Sequence, residues 1–275
     1  MSKQRPVVLI TGSSSGIGKA TAEKFAAEGW MVAATMRDVA RAPEFRSNGS
    51  GGTITTFPLD VTDPKMISAA VASVESDLGP VAAVVNNAGY GLIGPFEAIE
   101  PAEIERQFAT NVTGLMNVTR AILPGMRKRR RGSIINVTSM GGRLTFPFYS
   151  VYHATKWAVE GLSESLQYEL RPFGIRVKII EPGTIRTEFY GRSESRADAE
   201  QLGDYRSHFE SVYRKYQQIG RTAPGPEIVA DAILQAALDR SSRLRYTPNS
   251  TKLLALRQIF GERMMRRVIR DRFRP

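Results

Sequence analysis

Residues 7–18 read Val7-Val8-Leu9-Ile10-Thr11-Gly12-Ser13-Ser14-Ser15-Gly16-Ile17-Gly18. Four consecutive apolar residues fit a short strand buried on both faces. They run straight into a turn rich in glycine and serine. Beyond it a helical pattern carries Ala20, Phe25 and Ala26 and stops near Gly29. The order is strand, glycine turn, helix. Glycines let a backbone approach a pyrophosphate closely, and the first turn of a helix offers N–H donors and a positive dipole end. The spacing is G-x-x-x-G-x-G rather than the commoner G-x-G-x-x-G, and such turns also serve as plain connectors. The flanking strand and helix favour nucleotide binding.

The same alternation continues along the chain. Apolar runs at 31–36, 54–59, 81–85, 133–138 and 175–180 read as further strands. Asp63 and Pro64 open a helix that runs to Leu78, with Asp63 at the N-cap and Pro64 at the first helical position. Residues 101–127 read as one long helix bent near Pro124-Gly125, and residues 151–170 as another. A helix from Pro226 to Leu238, an edge strand at Leu244-Arg245-Tyr246 and a basic amphipathic helix over 252–272 complete the pattern. Residues 184–224 lose periodicity and scatter Phe189, Tyr190, Tyr205, Phe209, Tyr213 and Tyr216 among polar residues. They read as a mobile lid or a helical surface insertion. Strands alternating with helices predict an α/β fold: a single doubly wound parallel sheet with helices on both faces, in one domain over 1–275. Ligands of such sheets bind beyond the carboxyl ends of the strands. The glycine turn, Asp60, Asn86–Gly89, Ser139 and Pro182-Gly183 all fall at that edge.

Ser139 to Lys156 carries the chemistry. It reads SMGGRLTFPFYSVYHATK, from the end of a strand into a helix. Tyr152 and Lys156 lie four apart and so share a helix face. A free tyrosine titrates near pH ~10 and is a poor base at neutral pH. A nearby cation favours the phenolate, and bringing the phenol near neutrality takes about 4 kcal/mol. Lysine and one more cation can supply that in a dry cleft and yield a general acid/base. Tyr-x-x-x-Lys also occurs on ordinary amphipathic helices, so its weight comes from its neighbours. Asn111 reads more readily as a solvated face residue, and His153 as a helix-surface one.

The chain has 275 residues, 42% of them hydrophobic, no cysteine and a formal charge of +11. Without cysteine there is no disulfide frame, thiolate nucleophile or cysteine zinc site, which fits a reducing, cytoplasmic setting. No metal is required: the two histidines, His153 and His208, have no ligand cluster around them in sequence. No apolar run is long enough to span a bilayer, and the basic start reads as a first strand rather than a secretion signal. Nucleic-acid binding would rest on charge alone, without a basic module to carry it.

Taken together, TGSSSGIG, Asp60-Val61, NNAG, the Asn111/Ser139/Tyr152/Lys156 set and Pro182-Gly183 with Thr187 resemble the short-chain dehydrogenase/reductase family over roughly residues 5–190. The resemblance implies a Rossmann-type fold and an oxidoreductase acting on an alcohol or carbonyl. It implies that Tyr152 is the acid/base and that Lys156 lowers its pKa and holds the nicotinamide ribose. Ser139 would bind the substrate oxygen, and Asn111 would position a water linking Lys156 to solvent. Cofactor contacts would come from Gly12, Ser14, Ser15, Gly16, Ile17, Gly18, Arg37, Asp60, Val61, Asn87, Ala88 and Gly89. Tyr152, Lys156, Pro182, Gly183, Ile185 and Thr187 would add the nicotinamide end. A non-catalytic dinucleotide-binding regulator with the same fold is the alternative; the complete Asn-Ser-Tyr-Lys set speaks against it.

Met36 stands where NAD-preferring members place an aspartate, and Arg37 follows. Its planar fork suits a ribose 2′-phosphate, with Ser13 and Ser14 as added donors, so NADP(H) is expected over NAD(H). Leu92, Ile93, Phe96, Leu144, Phe146, Phe148 and Tyr149 suggest either an apolar cleft or core, and the spacing resembles steroid- and retinol-type members. Ala158, Leu162 and Leu166 on the 151–170 helix suggest a homodimer or homotetramer. For the basic tail, docking on its own domain or a partner subunit is favoured over contact with a membrane surface.

Overall fold

The computed structural model describes residues 5–46, 51–187, 194–197 and 199–274, with the side chains of 199–201 excepted. Seven parallel strands form the sheet: β1 (Val7–Thr11), β2 (Met31–Met36), β3 (Thr53–Pro58), β4 (Val81–Asn86), β6 (Gly132–Val137), β7 (Ile175–Ile180) and β9 (Arg245–Tyr246). Their order is β3-β2-β1-β4-β6-β7-β9. A smaller parallel pair joins β5 (Gly91–Ile93) to β8 (Glu194–Arg196).

The apolar run of β1 explains the layering. Successive side chains alternate between faces of a strand. Val8 and Ile10 pack on one face of the sheet with Phe25 of α1 (Gly16–Ala27) and Ile233 of α7 (Glu227–Leu238). Val7 and Leu9 pack on the other with Ile67 of α2 (Pro64–Asp77) and Ile122 of α4 (Leu115–Arg129). Both faces are dry, so both sets are apolar and the strand reads as continuous. Phe25 is fully buried; cutting it to alanine costs about 3–5 kcal/mol at such a site. Asp63 caps α2 as its sequence requires, accepting from the N–H groups of Lys65 and Met66 at 2.8 and 3.2 Å.

Three expectations need correction. The 101–127 helix is not one helix bent at Pro124. It is α3 (Pro101–Phe108), a π-helical segment over Ala109–Gly114, and α4, which runs on through Pro124. The irregularity sits at Asn111, whose side chain is buried and tied to neighbouring elements. Residues 184–224 are not aperiodic throughout. They include α6 (Arg206–Thr222), which buries Phe209, Val212, Tyr213 and Tyr216 at helical spacing. The tail, α8 (Thr251–Arg272), is broken at Gly261, whose φ of 73° and ψ of 178° are not helical. Phe189 and Tyr190 lie outside the described residues.

Candidate active site and nucleotide cleft

The glycine turn is held from beneath by the end of β4. Thr11 Oγ1 accepts the N–H groups of Asn87 and Ala88, each at 3.0 Å. Asn87 Nδ2 donates to the carbonyls of Thr11 and Gly12 at 3.0 and 3.1 Å. Gly12 and Gly16 have φ of 69° and 52°, the region that favours glycine. Gly18 does not line the cleft; a Cβ there would stand 2.1 Å from the Gly12 carbonyl oxygen and 2.7 Å from Asn87 Nδ2. Its role is to let α1 close on the turn. Ser15 occupies the N-cap of α1 without a side-chain capping bond.

Ser13 departs from expectation. It is fully buried, and its hydroxyl donates to the Ile10 carbonyl at 3.0 Å. It braces the turn from within and offers no donor to a phosphate. Ser14 lines the cleft.

A cleft of about 950 Å³ runs along the carboxyl edge of the sheet. Gly12, Ser14, Ser15, Gly16 and Ile17 line one end with Met36 and Arg37; Asp60, Val61, Asn87, Ala88 and Gly89 line its floor. Arg37 is exposed. Asp38 turns away, accepting from the Ala40 N–H at 3.0 Å and pairing with Arg41 at 3.3 Å. Asp60 is held by Thr62, whose N–H and hydroxyl donate to it at 2.8 and 2.7 Å. Pro182, Gly183, Ile185 and Thr187 line the opposite wall. The Met140 N–H donates to the Pro182 carbonyl at 2.8 Å, fixing that wall to the Ser139 turn.

Ser139, Tyr152 and Lys156 meet in this cleft. Ser139 lies two residues beyond β6, and its Oγ accepts the Gly141 N–H at 3.0 Å. Tyr152 and Lys156 sit on α5 (Ser150–Leu170), with Lys156 Nζ 5.7 Å from the centre of the Tyr152 ring. Lys156 is buried, and Nζ donates to the Val137 carbonyl at 3.0 Å. Burial lowers its pKa to about 8, partly offset by the charge of Glu160.

Asn111 does not line the cleft, and it is not a solvated face residue: it is 3% exposed. Its Oδ1 accepts the Tyr90 N–H at 3.1 Å, and its Nδ2 donates to the Tyr90 carbonyl at 2.9 Å and to Thr155 Oγ1 at 3.2 Å. The side chain therefore binds the β4 turn to α5, and the π-helical backbone at this point bends around that anchor. Gly114, at the end of the same segment, lets it rest on Val61: a Cβ there would come within 2.8 Å of Val61 Cγ2.

His153 is also not a surface residue. It is 5% exposed, its Nε2 accepts the Phe146 N–H at 2.9 Å, and burial holds its pKa down to about 4. A neutral ring is what this acceptor role needs. Of the apolar set, Phe146 and Tyr149 line the cleft, whereas Leu92, Ile93 and Leu144 are core and Phe96 is 65% exposed. Phe148 packs on Phe209, ring centres 5.2 Å apart. Tyr216 of α6 lines the cleft, and its hydroxyl donates to the Pro147 carbonyl at 2.9 Å.

Glu194 was not foreseen. It lines the cleft and accepts from the hydroxyls of Tyr149 and Tyr213 at 2.6 and 2.8 Å. Nothing local in the sequence signals it, because its partners lie on two other elements.

The family model described as short chain dehydrogenase matches residues 6–198. The chain belongs to this family. Among relatives, the short-chain dehydrogenase is 39% identical over 255 residues to mouse 17-beta-hydroxysteroid dehydrogenase type 1, a match covering 87% of this chain and 72% of the relative. Its fold matches the crystal structure of a short-chain dehydrogenase from Streptomyces avermitilis, with a TM-score of 0.75, 33% identity and coverage of 98% and 99% of the two chains. It also matches a metagenomic short-chain oxidoreductase in complex with NADP, with a TM-score of 0.69, 29% identity and coverage of 88% and 97%. Solved relatives hold NADP in some cases and NAD in others. An oxidoreductase of Rossmann type that uses a nicotinamide dinucleotide follows from this membership.

Proposed function

We propose that this short-chain dehydrogenase interconverts an alcohol and a carbonyl, with NADP(H) preferred and a lipophilic substrate. The observation that carries the reading is the convergence of Ser139, Tyr152 and buried Lys156 in one cleft with the glycine turn.

The cleft suits the cofactor. Gly12 and Gly16 hold conformations that bring bare backbone to the cleft, and Ser15 leaves the first turn of α1 without a side-chain cap. When bound, the nicotinamide supplies or accepts the hydride. The protein's part is the proton and the geometry. Tyr152 gives its phenolic proton to the carbonyl oxygen in reduction and takes it back in oxidation. Lys156, close to the Tyr152 ring, favours the phenolate by its charge. Ser139 donates to the same substrate oxygen and stabilises charge developing there. Asn111 serves by fixing the π-helical backbone and α5 relative to each other, and main-chain groups of that segment are the natural site for the relay water. Gly18, Asn87 and Val61 shape the nucleotide half.

Met36 and exposed Arg37 support NADP(H), since no carboxylate at the β2 end lines the cleft to repel a 2′-phosphate. Phe146, Tyr149, Tyr216, Ile269 and Phe273 support a lipophilic substrate at the other end. Glu194, Ser195, Tyr216 and Ile219 from the 184–224 segment add to that wall. A dimer through α4 and α5 is supported by Trp157 and Tyr168, 45% and 72% exposed on α5; Ala158, Leu162 and Leu166 are only half-exposed and pack partly inward.

The test is turnover on a panel of carbonyls and alcohols, including steroid, retinoid and long-chain substrates, with both cofactors. Tyr152→Phe is expected to keep cofactor binding and to lose turnover by about a hundredfold or more. Near-normal turnover in that variant, or cofactor binding with no turnover on any substrate, would refute the reading.

A further inference from the structure

The C-terminal helix α8 has two apolar surfaces, and among the described residues only one of them packs against the protein's own core. Leu254 and Met265 are buried with Leu144, and Phe273, just beyond the helix, packs against Phe146 and Tyr216. That much is the docked tail expected from the sequence. A helix docked by one stripe should turn a polar face to water. This one does not: Leu256, Ile259, Phe260, Met264 and Val268 are 43%, 73%, 52%, 47% and 45% exposed.

These side chains do not stand alone. Leu256, Ile259 and Phe260 follow helical spacing on the first segment, and Met264 and Val268 on the second. Gly261 breaks the helix between them, with open space where its Cβ would be. Ile259 and Phe260 therefore sit at an exposed corner where the helix breaks. Around them Lys252, Arg263, Arg266, Arg267 and Arg270 are exposed, and residues 252–274 hold eight basic against two acidic side chains.

We propose that α8 seats this protein on an anionic lipid surface, with the Ile259-Phe260 corner entering the interface and the surrounding arginines meeting lipid phosphates. An interfacial helix needs this combination of exposed apolar side chains and flanking cations. A second copy of the chain fits the face poorly, because a two-fold contact would bring two strongly cationic helices together. Val268 belongs both to the exposed set and to the cleft wall, beside Ile269 and Phe273. The seat thus adjoins the substrate end of the cleft. The seat itself does not depend on the catalytic reading; delivery of a lipophilic substrate from the bilayer to the cleft does.

The experiment is sedimentation of the full chain with phosphatidylcholine vesicles, with and without phosphatidylglycerol, at low and high salt. Binding is expected to the anionic vesicles, with a severalfold loss at high salt. Ile259→Ser/Phe260→Ser should weaken partition by about tenfold or more while keeping the wild-type melting temperature, because both side chains are exposed. Arg263→Glu/Arg266→Glu/Arg267→Glu should abolish the preference for anionic lipid. Wild type that stays in solution with anionic vesicles at low salt would overturn the proposal. So would binding indifferent to the Ile259/Phe260 pair. Light scattering on the same proteins covers the remaining outcome: variants that change only the oligomeric state in lipid-free buffer would make this face a contact between copies and remove the lipid seat. Redox activity is not read in any arm, so failure here leaves the catalytic reading standing.

Discussion

Glu160 and Glu181 share one guanidinium. Arg245 Nε donates to Glu181 Oε1 at 3.0 Å and to Glu160 Oε2 at 3.2 Å, and its Nη2 reaches Glu160 Oε2 at 3.0 Å and also Glu164. Arg143 stands 3.6 Å from the other Glu181 oxygen. Both acids are buried. Glu160 lies one helical turn past Lys156, and Glu181 immediately precedes Pro182. Thr138, next to Ser139, donates to Glu160 at 2.7 Å. One ionic cluster thus ties together α5, the ends of β6 and β7, and β9, directly behind the cleft.

The cluster makes stability depend on pH. Burial and the charge of Glu160 raise the Glu181 pKa to about 7, and burial raises that of Glu160. A carboxyl raised on folding contributes stability that is complete below its unfolded value, near 4.5, and lost as pH climbs through about 7. His153 has the opposite sign: lowered from 6.5 to about 4, it contributes fully above 6.5 and is lost as pH falls. Each group changes stability by at most about 1.4 kcal/mol per pH unit. The two arms oppose each other between those values, where Lys156 stays protonated in both states. Urea unfolding across that window should show Glu181→Gln gaining stability with rising pH more steeply than wild type. His153→Gln should show the falling arm exposed. Parallel profiles for all three proteins would contradict the assignment.

Arg37 offers a sharper test of the cofactor proposal. Its exposed guanidinium lines the cleft, whereas Asp38 is occupied by Ala40 and Arg41. A lost charged hydrogen bond costs about 1.5–3 kcal/mol, or roughly ten- to a hundredfold. Arg37→Ala should lower kcat/KM for NADP(H) by that factor and leave NAD(H) nearly unchanged. Equal losses with both cofactors would make Arg37 structural, and a wild-type preference for NAD(H) would refute the phosphate site.

What was legible in the sequence follows from how each element is buried. Strands dry on both faces must be apolar throughout, so Met31–Met36 and Ile175–Ile180 were read with the bounds the structure has. Glycine turns were legible because only glycine tolerates the close approaches at Gly12 and Gly18. Helix α6 was hidden because half its buried face is tyrosine, whose hydroxyls are satisfied by Glu194 and the Pro147 carbonyl. Its apolar stripe looks polar until those partners are known. His153 and Asn111 were misread for a related reason. Their partners lie on other elements, the Tyr90 turn and α5 for Asn111 and the Gly141 and Phe146 backbone for His153, and neither helix pattern records them. The π-helical segment leaves no mark in composition at all.

The β5–β8 ladder has a consequence for the order of events in time. It joins three residues to three, and the partners are about a hundred positions apart in the chain. A short two-stranded pair is marginal by itself, and closing so long a loop is entropically costly. Among the described residues its surroundings hold it: Ala197 N–H on the Ile93 carbonyl at 3.0 Å, Glu194 between two phenols, Ser195 Oγ donating to Glu103 at 3.1 Å, and Arg196 4.0 Å from the centre of the Tyr213 ring. The ladder should therefore be the last part of the cleft to assemble during refolding and the first to open in the native state. Amide exchange is expected to release the protons of Glu194–Arg196 through openings far less costly than global unfolding, while those of β1 and β4 wait for the whole sheet. Equal protection in both regions would mean the small ladder belongs to the same cooperative unit. If exchange is faster there, this corner of the cleft opens without disturbing the sheet that leads to Ser139.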